Sequence, residues 1–218
     1  MTNTINNRFL IVILLLIFSS LSHANPAWQL DKEEDGIKVY VRDTQDSAVK
    51  SFRGEVIVSA SLTTLVATLE DTKSYPQFLH NCKKATNLKI INDNESYKYI
   101  VTNMPWPVED RDTIVHSVMS QDNASKVVTI KFNAAPQQIA HKKGLVRINK
   151  MLGSWRLIPE DKDQVKVIYE MNVDPGGSLP KWLVNSLAVD IPFHTLQKLR
   201  NQLKKPAYKN IKHALIVD

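Results

Sequence analysis

The amino-acid sequence predicts an α+β domain in which a curved antiparallel sheet wraps around one long C-terminal helix. Three observations carry this reading. Residues 37–58 and 97–173 contain short runs that alternate apolar and polar side chains, the period of a half-buried strand. Polar clusters such as Asn92-Asp93-Asn94 and Gln121-Asp122-Asn123 separate those runs, and strands joined by short turns pair antiparallel. From residue 178 to about 203 the apolar spacing changes to that of a helix.

Residues 1–8 are polar and end in one cation, Arg8, residues 9–21 are a continuous apolar run, and Ser22-His23-Ala24 supplies small residues at cleavage-site spacing. This order is that of a secretory signal peptide spanning 1–24 and cut after Ala24, which predicts a periplasmic or secreted protein. The run is shorter than the ~20 apolar residues a spanning helix needs. Residues 25–205 then form one domain and 206–218 a peripheral tail. The chain carries a net charge of +6, and without the leader, which holds Arg8 and no acid, +5. That balance allows transient contact with an anionic membrane surface, but no dense Lys/Arg block points to nucleic acid. Cys82 is the only cysteine, so no internal disulfide forms and the thiol reads as a small buried apolar group. His80-Asn81-Cys82 is the only close His/Cys pair and no second pair follows at ligand spacing, so neither a metal nor a cofactor is expected.

Taken in order, residues 28–35 are a lead-in segment. Residues 37–41 form a first strand, and Phe52, Gly54, Val56 and Val58 mark a second. Ser59-Ala60-Ser61 caps a helix carrying Leu62, Leu65, Val66 and Leu69, which stops near Asp71-Thr72. Pro76 favours an extended Tyr75 before it, and Gln77-Phe78-Leu79 adds a short helical turn. In the meander, Tyr97, Tyr99 and Val101 share one face while Lys98 and Thr102 share the other. Strands follow over 111–119, 127–132, 144–150, 153–158 and 165–173. Asp174-Pro175-Gly176-Gly177 breaks the sheet, as a connector or a hinge over 174–181. Ser178 and Pro180 suit a helix start. Trp182, Val189, Phe193, Leu196, Leu199 and Leu203 form its apolar stripe, Pro192 is expected to kink or split it, and Pro206 ends it.

A sheet wrapped around a helix leaves a gap where a small apolar ligand can bind. Phe132, Trp155, Tyr169 and Met171 are candidate walls on the sheet, and Trp182, Val189, Phe193 and Leu196 on the helix; the alternative for each is ordinary core.

Several segments resemble one family. Pro105-Trp106-Pro107-Val108-Glu109-Asp110-Arg111-Asp112 is similar to a proline-then-Arg-Asp segment entering a central strand, and Gly144-Leu145-Val146-Arg147 to a glycine-led strand with an arginine. Trp155-Arg156-Leu157-Ile158-Pro159, Tyr169, and the run from Asp174-Pro175-Gly176-Gly177 through Ser178-Leu179-Pro180-Lys181-Trp182-Leu183-Val184-Asn185 resemble its last strands and the lead into its final helix. The family is START, the steroidogenic-acute-regulatory-related lipid-transfer domain with the helix-grip fold, and the resemblance covers residues 27–203. It implies a hydrophobic tunnel for a sterol, phospholipid, ceramide or other apolar ligand, usually without catalysis. In the family's sterol carriers a basic residue stands further along the Arg-Asp strand; the matching place here is near Ser117, beside His116.

Candidate ligand contacts on that strand are Arg111, Thr113, Val115 and Ser117. Arg111, Asp112 and Arg147 either meet a ligand's polar head or form structural ion pairs, the latter because buried charges are normally paired. Glu109, Asp110 and Asp112 supply no nucleophile–base arrangement, so the protein is read as a binder and not an enzyme. The alternative is a cyclase- or aromatase-like enzyme on the same cavity, using Arg111, His116, Ser117 and Tyr169; a third class is a closed envelope protein with no ligand.

Overall fold

The computed structural model describes residues 27–44, 49–161, 163–208, 211 and 213–218; the expected signal peptide lies outside them. The chain runs β1 (Gln29–Glu34), β2 (Ile37–Arg42), β3 (Ser51–Ser59), α1 (Leu62–Glu70), α2 (Tyr75–Phe78), β4 (Cys82–Asn92), β5 (Glu95–Thr102) and β6 (Arg111–Gln121). It continues through β7 (Val128–Ala134), β8 (Val146–Arg147), β9 (Lys150–Pro159), β10 (Gln164–Asp174) and α3 (Lys181–Gln202). Among the described residues the strands form one sheet in the order β1-β2-β3-β10-β9-β7-β6-β5-β4, with β8 beside β6. Every pairing is antiparallel except the short β6–β8 contact. Helix α3 packs on β2 and β3 and lies against α2, so the sheet and helix enclose the core between them. No helix among the described residues is long and apolar enough to cross a membrane.

Local chemistry explains the well-read elements. Ile37, Val39 and Val41 are buried while Lys38 between them is exposed, as period 2 requires. Ser61 caps α1, its Oγ accepting from Thr64 N at 3.1 Å. In β10 the residues Val165, Val167, Tyr169 and Met171 face inward across from Val58, Val56, Gly54 and Phe52 of β3. Gly54 has a packing reason: a Cβ there would stand 2.7 Å from Leu196 Cδ1 and 3.1 Å from Pro192 Cβ of α3.

Five expectations are corrected. The lead-in 28–35 contains a true strand, β1, whose mostly exposed edge position gives it no apolar period to read. Tyr75 is helical (φ −51°, ψ −44°): its ring is buried edge-on to Phe78 and its hydroxyl donates to Leu69 O at 2.7 Å, outweighing the preference of a residue before proline. The expected strand 144–150 shrinks to the two residues of β8, because Val146 N and Ile148 N bond back to Asp110 O and Asp112 O of the β6 entrance. Pro192 lies inside one helix that is not split, seated on β3 at Gly54. The tail is not peripheral: Tyr208 is buried and donates to Asp71 Oδ2 at 2.6 Å, Thr63 bonds the Asp218 carboxylate through N and Oγ1 at 2.8 Å each, and His213 pairs with Glu70 at 2.9 Å.

Candidate functional site

Two adjoining chambers of about 110 and 130 Å³ lie between the sheet and its helical cover. Leu79, Ile100, Val115, Met151, Tyr169 and Met171 line both, so the two adjoin along a shared wall. The first chamber is roofed by Leu69 of α1 and by Tyr75 and Phe78 of α2; the second by Leu187, Ile191 and Thr195 of α3. Four of the protein's five methionines, Met104, Met119, Met151 and Met171, stand in these walls. Trp155 stacks on Tyr169 at 3.9 Å with the rings parallel, and Phe52 meets Tyr169 edge-on at 5.0 Å.

Alternation along β6 sorts the candidates. Arg111, Thr113, Val115 and Ser117 all face the chambers; Asp112, Ile114 and His116 point to the other side of the sheet. Phe132, Trp155, Tyr169 and Met171 also line the space. Five candidates do not. Arg147 is bound on the outer side of β6. Phe193 and Leu196 are core side chains turned to the β1–β3 edge, Phe193 beneath Lys32 Nζ at 3.7 Å. Val189 packs between core clusters. Trp182 is 58 % exposed, in a surface depression with His80, Pro105 and Asp190. The stripe expected on α3 is its strand-packing side, and the cavity side is the row Leu187, Ile191 and Thr195, offset around the helix.

The charged groups divide into structural and cavity-facing. Arg147 donates to Asp112 through Nε (2.7 Å) and Nη2 (2.9 Å), and to the carbonyls of Pro136, Ile139 and Ala140. Tyr99 completes the Asp112 shell at 3.0 Å. Burial alone would raise the Asp112 pKa, but bonds from Arg147 and Tyr99 hold it below the ordinary carboxylate range. This buried pair pins the 135–147 segment over the outer face of β5 and β6, where Tyr99, Val101 and Ile114 form their own apolar cluster. Arg111 faces the second chamber yet donates to the carbonyls of Glu109, Pro175 and Gly176, holding the turn that leads to α3. Asp110 is likewise committed, to Lys83 Nζ at 2.7 Å and Met104 N at 3.0 Å.

Lys98, Ser96 and Asn94 also line the first chamber, which sequence reasoning did not assign. Lys98 Nζ donates to Ser96 Oγ at 2.8 Å and Ser117 Oγ at 3.0 Å. The cation missing at Ser117 is thus supplied by the neighbouring strand. The signal was present in the alternation of β5, which sets Lys98 opposite the tyrosines.

Burial pushes the Cys82 thiol up to about 11 and lowers His80, with help from Lys198 and His194, to about 4. At neutral pH both are uncharged. The buried Tyr169 phenol is raised far above its usual value and stays protonated. His116 lies outside the cavity, bonded to Glu95 at 2.8 Å and stacked on Tyr97. Arg111, Ser117 and Tyr169 share the cavity, but their hydrogen bonds run to other groups, Tyr169 to Met171 Sδ at 3.9 Å. Among the described residues no group of three or more His, Cys, Asp or Glu side chains is gathered to hold a metal ion.

A family model described as the START domain matches residues 17–209. The chain is 38 % identical to the crystallised fragment of a STAR-related lipid transfer protein from Xanthomonas axonopodis, covering 82 % of this chain and 99 % of that one, with a TM-score of 0.76. It is 37 % identical to an uncharacterized protein of Pseudomonas aeruginosa, over 82 % of this chain and 87 % of that protein. It is 22 % identical to the rat phosphatidylcholine transfer protein, over 72 % of this chain and 75 % of that protein. The fold extends to human STARD10, TM-score 0.73 at 21 % identity, covering 88 % and 79 % of the two chains.

Proposed function

Because the chain belongs to the START domain family, we propose that it takes one lipid-like molecule into the two chambers beneath α3 and carries it between membrane surfaces, without catalysing a reaction. The observation that carries this reading is the pair of adjoining chambers walled by aromatic rings and methionines, with few polar groups. Transferring an apolar chain from water into such walls yields about 25 cal/mol per Å² of buried surface, enough to hold an amphiphile without any covalent step.

A closed site needs a way in. Gly176 and Gly177 adopt φ +63° and +66°, a backbone that other residues rarely adopt, just ahead of α3. The same turn is gripped by Arg111. Residues 174–181 therefore serve as the hinge in this reading, letting the N-terminal half of α3 lift. Trp182, 58 % exposed, and Trp106, 91 % exposed in the loop beside Pro105, flank that end of the molecule. Tryptophan favours the membrane–water boundary, so this end is assigned as the transient membrane contact. Export follows from the leader: the working protein begins at Asn25 in the periplasm or outside the cell, and an intact-mass measurement finding residues 1–24 retained would refute it.

The test of the central reading has two arms. Native mass spectrometry of protein purified from its own envelope is expected to show one co-purifying apolar molecule per chain. Ile191→Trp, which places an indole into the second chamber, is expected to lower transfer of a fluorescent phospholipid between vesicles at unchanged Tm. A ligand-free protein whose Ile191→Trp variant transfers as wild type does would sink the proposal.

A further inference from the structure

We propose that the first chamber selects amphiphiles with an anionic head, a carboxylate or a phosphate, and seats that head on Lys98 with Ser96 and Ser117. The inference rests on the lipid-binding reading above and narrows it to a ligand class.

Lys98 is 6 % exposed and lines the first chamber, whose other walls are mainly apolar, as well as a surface depression that it shares with Glu70, Asp93 and Glu95. A buried ammonium normally has a carboxylate beside it. Among the described residues no ion pair joins Lys98 to one. Glu70 reaches the same chamber, but its Oε2 is bound to His213 Nε2 at 2.9 Å. Of the three ammonium N–H groups, two go to Ser96 Oγ and Ser117 Oγ. The third has no protein acceptor among the described residues. The two hydroxyls stand 3.1 Å apart. One hydroxyl hydrogen is spent within the cluster, so the third ammonium N–H and the other hydroxyl hydrogen stand side by side as donors, the arrangement that receives an oxyanion. Desolvation lowers the Lys98 pKa, with the Glu70 charge opposing.

The rest of the space fits a tail. From Lys98 the first chamber passes Phe132, Trp155 and Met119 to the shared wall at Tyr169 and Met171, beyond which the second chamber lies below Leu187 and Ile191. Among the described residues the only cation facing that second chamber at neutral pH is Arg111, whose guanidinium is bound to three carbonyls. A head anchored at Lys98 with its chain running toward α3 satisfies both ends.

The experiment measures binding of four probes to the full processed chain, stripped of lipid: palmitate, 1-palmitoyl lysophosphatidate, hexadecanol and cholesterol, each competing with a fluorescent lipid. The expected result is binding of palmitate or lysophosphatidate, or both, at least tenfold tighter than either neutral probe, with the two anionic arms reporting whether a carboxylate or a phosphate head is preferred. Lys98→Met removes the charge at similar bulk and is expected to weaken the anions about 30-fold while leaving the neutral probes within a factor of three; Lys98→Arg restores part of the preference. Unchanged Tm shows that the variants fold, and the wild-type ranking decides the matter even if they do not. Equal binding of neutral and anionic probes overturns the anion site and leaves lipid binding standing. A preference that survives Lys98→Met overturns the role of Lys98. Binding of none of the four overturns the lipid-binding reading itself.

Discussion

The Arg147–Asp112 pair offers a sharp test of the division between structural and ligand-facing charge. Both side chains are 1 % exposed and joined by two hydrogen bonds of 2.7 and 2.9 Å. Replacing Arg147 by Met leaves the Asp112 carboxylate buried with only Tyr99 to serve it; replacing Asp112 by Leu leaves a buried guanidinium holding three loop carbonyls. Stranding one charge of a buried pair costs about 3–5 kcal/mol. For a domain of this size each kcal/mol moves Tm by about 2–4 °C, so each single variant is expected to melt about 6–20 °C lower. The double variant removes both charges. Its remaining cost is the loss of partners for Tyr99 Oη and the carbonyls of Pro136, Ile139 and Ala140, about 1–3 kcal/mol, so it is expected to be more stable than either single variant. Circular-dichroism melts of the four proteins measure this, with lipid binding assayed well below the lowest Tm. The reasoning fails if Arg147→Met keeps its Tm and loses the ligand, or if the double variant loses the sum of the single losses.

The same pair sets an acid limit. Because Asp112 is held below the ordinary carboxylate range, its contribution is complete above the unfolded value of about 3.9 and is lost as pH falls through the lower folded value. Tm is therefore expected to be insensitive to this pair between pH 5 and 8 and to fall below pH 4; the Asp112→Leu/Arg147→Met double variant should fall less steeply there, and superimposable profiles would contradict the assignment. Gly54→Val is expected to destabilise by about 1–3 kcal/mol, since its side chain must displace the fully buried Leu196 or lift α3 from β3, and urea denaturation with an unchanged midpoint would show that the helix is not seated there.

Much of the architecture was readable because burial imposes a period. Ile37–Val41 and 165–173 alternate because one face meets the core, and α1 announces itself through Ser61 and its spaced leucines. The site was less readable for a specific reason. On β5 the apolar side, Tyr97, Tyr99 and Val101, looks like the inner one, yet it faces outward beneath the 135–145 segment, and the inner side carries Ser96 and Lys98. Only a loop distant in sequence, pinned by Arg147, makes that inversion affordable, and no local pattern encodes it. On α3 two adjacent apolar rows exist, one on β3 and one over the cavity. The apolar period marks the stripe through Phe193 and Leu196 without saying whether it meets strand or open space, and the row with Ile191 and Thr195 over the cavity is not singled out by it.

The methionines in the chamber walls carry a consequence of their own. Thioether side chains are unbranched and polarisable, and they change rotamer at little cost, so Met104, Met119, Met151 and Met171 form a lining that remoulds itself around tails of unlike outline. Discrimination among ligands then falls to the fixed polar end, not to the shape of the apolar space. The same atoms are oxidisable. Conversion of Met171 to its sulfoxide places a polar group in the wall common to both chambers, next to the Tyr169 hydroxyl, and makes that wall less hospitable to a hydrocarbon chain. In the proposed lipid carrier, oxidation of Met171 is therefore expected to weaken retention of the cargo.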